Sequence, residues 1–195
     1  MHFQDTPLAG AKVIELDKRE DARGFFARLF CKQEFSSHGL EPEIVQVNTS
    51  FSRQIGTLRG LHYQLAPSSE TKLIRCLRGG IFDVILDLRP DGPSFGRWLG
   101  VELTAQNRTM LYVPKGFAHG FLTLAEDAEV LYCSSESYSP EHERTVRWND
   151  PKFNIQWPFA PSVVSDKDAR SPDFDPAYHL AKCDFHGCSL TGYAT

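Results

Sequence analysis

The sequence predicts a mostly-β fold, an antiparallel sandwich or barrel with a few short helices. Three observations support this prediction: short segments rich in β-branched and aromatic residues, turn residues that close each segment, and few helix signals. The segments run in order between about residues 44 and 135: IVQVNTSFS, TLRGLHYQL, KLIRCLRG, IFDVILDL, WLGVELT, TMLYVP, GFLTL and EVLYCSSESY.

Local patterns define the other elements in chain order. KQEFSSHG predicts a short helix ending at Gly39, and the stretch 165–170 predicts a helical turn. In IFDVILDL, Asp83 and Asp87 interrupt the apolar residues, which predicts a strand buried on one side. No linker or internal repeat divides the 195 residues, so we expect one domain over 1–195, with a core at about 44–150 and a C-terminal tail from about residue 173.

Charge and hydropathy disfavour several classes of function. The formal net charge of -4 supplies no broad positive field for nucleic acid or an anionic membrane surface. No apolar run approaches the roughly 20 residues that span a bilayer, and the first residues lack a leader pattern, so we expect a cytoplasmic protein. The five cysteines include no CxxC pair and are interpreted as small, reduced apolar residues.

Two histidines lie in strand-like segments beside glycines, His62 in RGLHYQ and His119 in VPKGFAHGF. Each is a candidate base, acid or metal ligand, or else a hydrogen-bonded core residue. PKGFAH fits the Pro-x-Gly-x-x-His ending of cupins, but the His-x-His of a metal-binding cupin is missing, which argues against a metal. The sequence contains neither Gly-x-Gly-x-x-Gly nor a P-loop, so it does not indicate a dinucleotide cofactor or P-loop ATP chemistry.

Cations near these histidines suggest an anionic ligand. Arg23, Arg59 and Lys72 in one cleft would suit a phosphate, which arginine can hold through two hydrogen bonds. Taken singly, each could instead be a solvated surface residue.

An ordered series of motifs resembles the dTDP-4-dehydrorhamnose 3,5-epimerase family over about residues 1–172. The motifs are RGFF, QVNTS, LRGLHYQ, KLIRCLRG, FDVILDLR, FGRW, VELTAQN, VPKGFAHGFLTL, LYCSSESYSPEHE, WND and SDKDARSP. The resemblance implies a double-stranded β-helix, or jelly-roll, barrel of the cupin kind, a homodimer, no cofactor and a nucleotide-diphosphate 4-keto-6-deoxyhexose as substrate.

The resemblance also implies roles for individual residues. His62 matches the base, Asp168 the carboxylate that orients it, Tyr132 the general acid, and Lys72 the cation near the keto oxygen. The matching substrate-binding residues are Arg23, Gln46, Asn48, Arg59, His119, Glu143 and Tyr138, the last of which stacks on the nucleotide base.

This chain departs from the family pattern near the nucleotide. Arg28 replaces an acidic residue two positions after RGFF, Arg19 stands where the family commonly has an aromatic residue, and Glu70 with Thr71 replaces Gln-Gly before Lys72. The nucleotide could therefore be dTDP, CDP, UDP or GDP, and either or both of C3 and C5 could be inverted. A 3,4-ketoisomerase, a nucleotide-sugar-binding module without catalysis and a metal-dependent oxygenase are the alternative functions.

Overall fold

The computed structural model describes residues 1–181 and shows a mainly β chain with three short helices in that range. The strands are β1 (His2–Asp5), β2 (Lys12–Glu15), β3 (Arg19–Asp21), β4 (Gly24–Phe26), β5 (Gln46–Ser52), β6 (Thr57–Gln64), β7 (Lys72–Arg78), β8 (Gly80–Asp87), β9 (Trp98–Thr104), β10 (Met110–Val113), β11 (Phe117–Thr123), β12 (Ala128–Ser134), β13 (Glu143–Thr145) and β14 (Val163–Val164). The helices are α1 (Lys32–Ser37), α2 (Asp166–Ala169) and α3 (Pro176–His179).

Two sheets face each other. The first has the order β1-β2-β10-β7-β12-β5, and the second has the order β13-β6-β11-β8-β9 with β14 parallel to β6. Ile74 and Leu111 of the first sheet share a buried cluster with Ile85 and Phe121 of the second. This apolar layer holds the sheets together and confirms the predicted jelly-roll class.

Strand β8 corrects one expectation from the sequence. Its aspartates predicted a half-buried strand, whereas Asp83 and Asp87 are both fully buried. Asp87 accepts hydrogen bonds from Arg89 and Ser94, and Asp83 binds His119. Polar partners inside the fold allow a carboxyl group to occupy a buried position, and the apolar pattern alone cannot reveal such partners.

The predicted helices form with short lengths. In α1, Phe35 is buried against Ile14 and Met110 on the outer side of the first sheet. In α2, the Ser165 side chain accepts a hydrogen bond from the Asp168 backbone N–H and caps the helix.

The described part of the tail packs on the domain. His179 of α3 is fully buried. Leu180, which follows α3, packs in a buried apolar cluster with Leu61 and Phe153. The predicted tail cysteines, Cys183 and Cys188, lie outside the described residues. None of the helices within residues 1–181 is long and apolar enough to cross a membrane.

Strands β4, β5 and β7 leave some apolar side chains exposed. Strand β5 is an edge strand whose Val47 and Phe51 point outward, and Leu77 of β7 is also exposed. Among the strands of residues 1–181, β3 and β4 form a separate two-stranded sheet, and Phe26 in this hairpin is 68% exposed.

Candidate active site

A cavity of about 750 Å³ opens between the two sheets, within the range of typical ligand pockets. It is lined by every predicted site residue except Arg23 and Arg28: His62, Tyr132, Asp168, Lys72, Gln46, Asn48, Arg59, His119, Tyr138 and Glu143. The fold therefore gathers side chains that are separated by up to 122 positions in the sequence, from Gln46 to Asp168.

Strands β6 and β11 place two histidines side by side. His62 and His119 are opposite each other in the antiparallel register. A Cβ at Gly60 would lie 2.6 Å from the Gly120 Cα atom, and a Cβ at Gly120 would lie 2.6 Å from the Arg59 carbonyl oxygen. Only glycine permits this close approach of the two backbones, which sets the spacing of the histidines.

His62 pairs with Asp168 across the mouth of the cavity. Its Nε2 atom lies 2.6 Å from Asp168 Oδ1, and the His62 side chain is 32% exposed while that of Asp168 is 4% exposed. Helix α2 brings the carboxylate to β6, where the Gly60 N–H also donates to Asp168 Oδ2 at 3.4 Å.

The surroundings keep Asp168 ionised. Burial on its own would raise the pKa of Asp168, but hydrogen bonds and charge from His62, with hydrogen bonds from Ser165 and the Gly60 N–H, outweigh it and lower the pKa. An ionised carboxylate only accepts hydrogen bonds, so His62 Nε2 is the donor of this hydrogen bond, and the neutral tautomer with that donor has its lone pair on Nδ1. A histidine paired with an ionised carboxylate in this way is chemically able to act as a base, with the carboxylate orienting its ring.

A second pair, His119 with Asp83, lies deeper. His119 Nε2 is 2.7 Å from Asp83 Oδ1, and the Asp83 side chain is fully buried. No hydrogen-bond partner of Asp83 Oδ2 is found within residues 1–181. Burial raises the pKa of Asp83, although His119 and Lys72 act in the opposite direction.

Tyr132 lines the cavity from the other sheet. It lies on β12 between Asn48 of β5 and Ile74 of β7 and is half-buried. No hydrogen bond to its hydroxyl group is found in the described part of the chain, so the phenol is available to a ligand. The cavity thus has a histidine on one wall and a phenol on the other.

Lys72 begins β7 and reaches toward the histidine strand. Its Nζ atom donates to the His62 carbonyl oxygen at 3.2 Å and lies 2.9 Å from Glu70 Oε1. Both side chains are about nine-tenths buried, so their charges interact with little screening by water.

Arg59 differs from the other cations of the cavity. Its guanidinium donates to Ser52 Oγ at 3.2 Å and to the Phe51 carbonyl oxygen at 3.1 Å, and no carboxylate pairs with it in residues 1–181. Its full positive charge is therefore available to an anionic ligand.

Tyr138 and Glu143 form the outer end of the cavity. The Tyr138 hydroxyl donates to Glu143 Oε2 at 2.9 Å, and this hydrogen bond raises the pKa of the phenol. Lys167 also pairs with Glu143 at 2.5 Å. Burial would raise the pKa of Glu143, but these two partners lower it. Gln46 Oε1 accepts from the Tyr138 backbone N–H at 2.7 Å and holds this loop in place.

The structure does not bring Arg23 and Arg28 into the cavity. Arg23 lies in the turn of the β3-β4 hairpin, is 90% exposed and pairs with Asp21 at 2.6 Å. Arg28 pairs with Glu34 at 2.7 Å and lines a separate, smaller cavity.

Sequence reasoning gave no role to two carboxyl groups of the site, Glu70 and Asp83. In the sequence, Glu70 departs from the family pattern and Asp83 interrupts an apolar strand. A carboxylate two positions before a candidate catalytic lysine, or inside an apolar strand, is the signal that points to such groups. Within residues 1–181, no three or more His, Cys, Asp and Glu side chains form a group that could hold a metal.

Comparisons with known proteins show similarity over most of the chain. The profile of the family described as dTDP-4-dehydrorhamnose 3,5-epimerase matches residues 5–176. A relative of that name from Sinorhizobium fredii is 43% identical over 173 residues, which cover 88% of this chain and 89% of the relative.

Solved structures are similar over most of the chain. A dTDP-6-deoxy-D-glucose-3,5-epimerase from Legionella pneumophila, in complex with dTDP-4-keto-L-rhamnose, has 39% identity and a TM-score of 0.81 and covers 87% of this chain and 90% of its own. A 3'-monoepimerase from Streptomyces bikiniensis, in complex with dTDP-quinovose, has 33% identity and a TM-score of 0.82 and covers 91% of this chain and 90% of its own.

Proposed function

The chain belongs to the dTDP-4-dehydrorhamnose 3,5-epimerase family, and we propose that it is an isomerase that converts dTDP-4-dehydro-6-deoxyglucose to dTDP-4-dehydrorhamnose. One observation carries this proposal: His62, oriented by an ionised Asp168, and Tyr132 line a single cavity from different sheets. Epimerisation needs a base on one face of the sugar ring and an acid on the other.

The proposed reaction begins with removal of a proton. The C4 ketone acidifies the hydrogens at C3 and C5, so the Nδ1 lone pair of His62 can take one as the C–H bond breaks. The electron pair moves onto the keto oxygen as an enolate. Lys72, a buried cation beside the histidine strand, stabilises that negative charge.

A proton then returns to the opposite face. The enolate collapses to the ketone, and carbon takes the proton of the Tyr132 hydroxyl, which inverts the centre. The resulting phenolate and the protonated His62 exchange protons with solvent and regain their starting forms. No redox change occurs, and the absence of a required cofactor stays a prediction, as does the cytoplasmic location.

Substrate binding divides the cavity. Arg59 has no carboxylate partner among the described residues and suits the diphosphate, and Tyr138 at the outer end offers a ring on which a base can stack. His119, Gln46, Asn48 and Glu143 supply further polar contacts in this proposal.

We also propose a homodimer. The resemblance assigns Arg23 to substrate binding, yet this residue lies on an exposed hairpin outside the cavity of its own chain. A second copy could supply it, and the exposed Val47, Phe51 and Phe26 offer apolar surface for that contact. Light scattering of wild type and of Phe51→Asp tests this proposal, because a buried charge should shift the dimer toward monomer.

A second candidate is a mono-epimerase. The similarity to a 3'-monoepimerase favours it specifically, because that protein shares the fold at 33% identity. A 3,4-ketoisomerase or a binding module is less well supported, because neither explains a base and a phenol on different walls of one cavity.

The experiment is proton NMR of dTDP-4-dehydro-6-deoxyglucose with the protein in deuterated water. We expect loss of the C3 and C5 proton signals and, with a reductase as a trap, a rhamno-configured product. Exchange at one carbon alone would identify a mono-epimerase, and the absence of exchange would contradict the proposal. Relative affinities for dTDP, CDP, UDP and GDP, measured with wild type and Arg28→Glu, test whether Arg28 changes the choice of nucleotide.

A further inference from the structure

Glu70 is a buried carboxylate that lines the cavity but has no part in the proposed reaction. It lies two residues before β7, and its side chain is only 10% exposed. A carboxylate taken out of water is costly unless charges and hydrogen bonds compensate it. Its partners therefore indicate what the charge does.

Both oxygens of Glu70 have defined partners. Oε1 lies 2.9 Å from Lys72 Nζ, and Oε2 accepts a hydrogen bond from Gln64 Nε2 at 2.5 Å. Gln64 cannot turn its amide around, because its Oε1 accepts from the Ser139 backbone N–H at 2.5 Å. The Gln64 amide therefore holds Glu70, and Glu70 in turn contacts Lys72.

The contacts of Lys72 leave one N–H group for a ligand. An ammonium has three N–H groups. One donates to the His62 carbonyl oxygen at 3.2 Å and a second interacts with Glu70, so a third remains for the cavity that Lys72 lines.

We propose that Glu70 is a positioning residue, which holds the Lys72 ammonium so that its remaining N–H group stabilises the enolate oxygen. This inference rests on the proposed function and assigns a role that the reaction itself does not require. Glu70 acts through Lys72 and does not need to touch the substrate.

Glu70 also makes the two cations of the cavity, Lys72 and Arg59, differ in their available charge. Its charge compensates Lys72, whereas Arg59 has only neutral partners within the described residues. The diphosphate therefore favours Arg59, and Lys72 stays at the keto oxygen. Glu70 lies 2.9 Å from the Lys72 ammonium and is therefore the carboxylate that supplies the compensating charge.

The test is Glu70→Gln. Its amide must direct an NH₂ group toward either Gln64 Nε2 or Lys72 Nζ, both of which are donors, so one of the two contacts is lost. We expect kcat to fall about tenfold with KM nearly unchanged, because the contact matters most in the transition state. Glu70→Asp keeps the charge with a shorter reach, and its kcat should lie between wild type and Glu70→Gln.

A double-variant cycle separates positioning from general damage. Lys72→Met should lower kcat about a hundredfold, and adding Glu70→Gln should lower it no further, because the positioned group is already gone. Glu43→Gln, in the surface Lys32–Glu43 pair, is the matched control and should leave kcat and KM unchanged.

Wild-type turnover of dTDP-4-dehydro-6-deoxyglucose tests the proposed function alone. The ratios between variants test Glu70 and can be measured on any 4-keto sugar nucleotide that wild type converts. The inference would be overturned if Glu70→Gln kept the kcat of wild type or changed KM alone. It would also be overturned if the reductions in kcat of the two single variants multiplied in the double variant.

Discussion

Two neighbouring histidines of the second sheet each pair with a carboxyl group, and the surroundings of the two pairs differ. His62 and His119 are register partners with similar distances to their aspartates, 2.6 and 2.7 Å. The His62 side chain is 32% exposed, whereas that of His119 is 10% exposed. The first histidine lies at the open side of the cavity, and the second lies further inside.

The two carboxyl groups have pKa values shifted in opposite directions. Hydrogen bonds to Asp168 overcome its burial and lower its pKa, whereas burial dominates at Asp83 and raises its pKa. Asp83 also has an oxygen with no hydrogen-bond partner within residues 1–181. A histidine beside an aspartate can therefore have different surroundings at two neighbouring positions, because burial and the hydrogen bonds to each carboxyl group shift its pKa in opposite directions.

The largest expected effect separates the two histidines. His62→Ala should lower the rate of epimerisation by about 10² to 10⁴-fold, because the base is removed. His119→Ala should act mainly through a higher KM and retain measurable isotope exchange. Steady-state kinetics and NMR exchange check this prediction. Equal losses in kcat for both variants would contradict different roles for His62 and His119.

The orienting carboxylate should have the next largest effect. Asp168→Asn offers an amide that can donate to His62 Nε2 and so favours the wrong tautomer, with an expected loss in kcat of about 10² to 10³-fold. The matched change Asp83→Asn should lower kcat by on the order of tenfold or less. The two kcat values decide whether the pairs have different roles.

A variant of Tyr132 tests the proposed acid on the cavity wall opposite His62. Tyr132→Phe keeps the ring and removes the acidic proton, so net inversion should fall about a hundredfold while proton removal persists. Solvent deuterium incorporation and product formation, measured on one sample, check this prediction. Unchanged formation of the epimerised product would contradict the role of Tyr132 as the acid.

The smallest expected effect concerns stability against pH. The lowered pKa of Asp168 stabilises the fold above about pH 4, the usual value for an unfolded aspartate, and this contribution is lost as the pH falls through the folded pKa. Asp83 has the opposite sign, because its raised pKa makes the fold less stable as the pH rises from about 4 to the folded pKa.

Urea unfolding of wild type, Asp168→Asn and Asp83→Asn between pH 4 and 8 measures these contributions. The free energy of unfolding of Asp83→Asn should improve relative to wild type as the pH rises, whereas the cost of Asp168→Asn should persist at neutral pH. If the free energy of unfolding changed with pH in the same way for both variants, the proposed electrostatic difference between the two pairs would be contradicted.

Much of the fold follows from local sequence patterns. The predicted segments correspond to β5 through β12, and KQEFSSHG forms α1. Alternation, turn residues and caps act over a few positions, so a single segment carries the information. The buried face of β8 does not follow in this way, because Asp83 is stabilised by His119, which lies 36 positions further along the chain.

The strand pattern can be read from the amino-acid sequence, and the family motifs in it predict the residues of the site. The contacts of those residues become visible only in the folded chain: His62 with Asp168, Lys72 with Glu70, and Arg23 outside the cavity. The physical reason is that burial and pairing between distant strands set charge and hydrogen bonding. These quantities depend on neighbours in space, whereas secondary structure depends chiefly on neighbours in the chain.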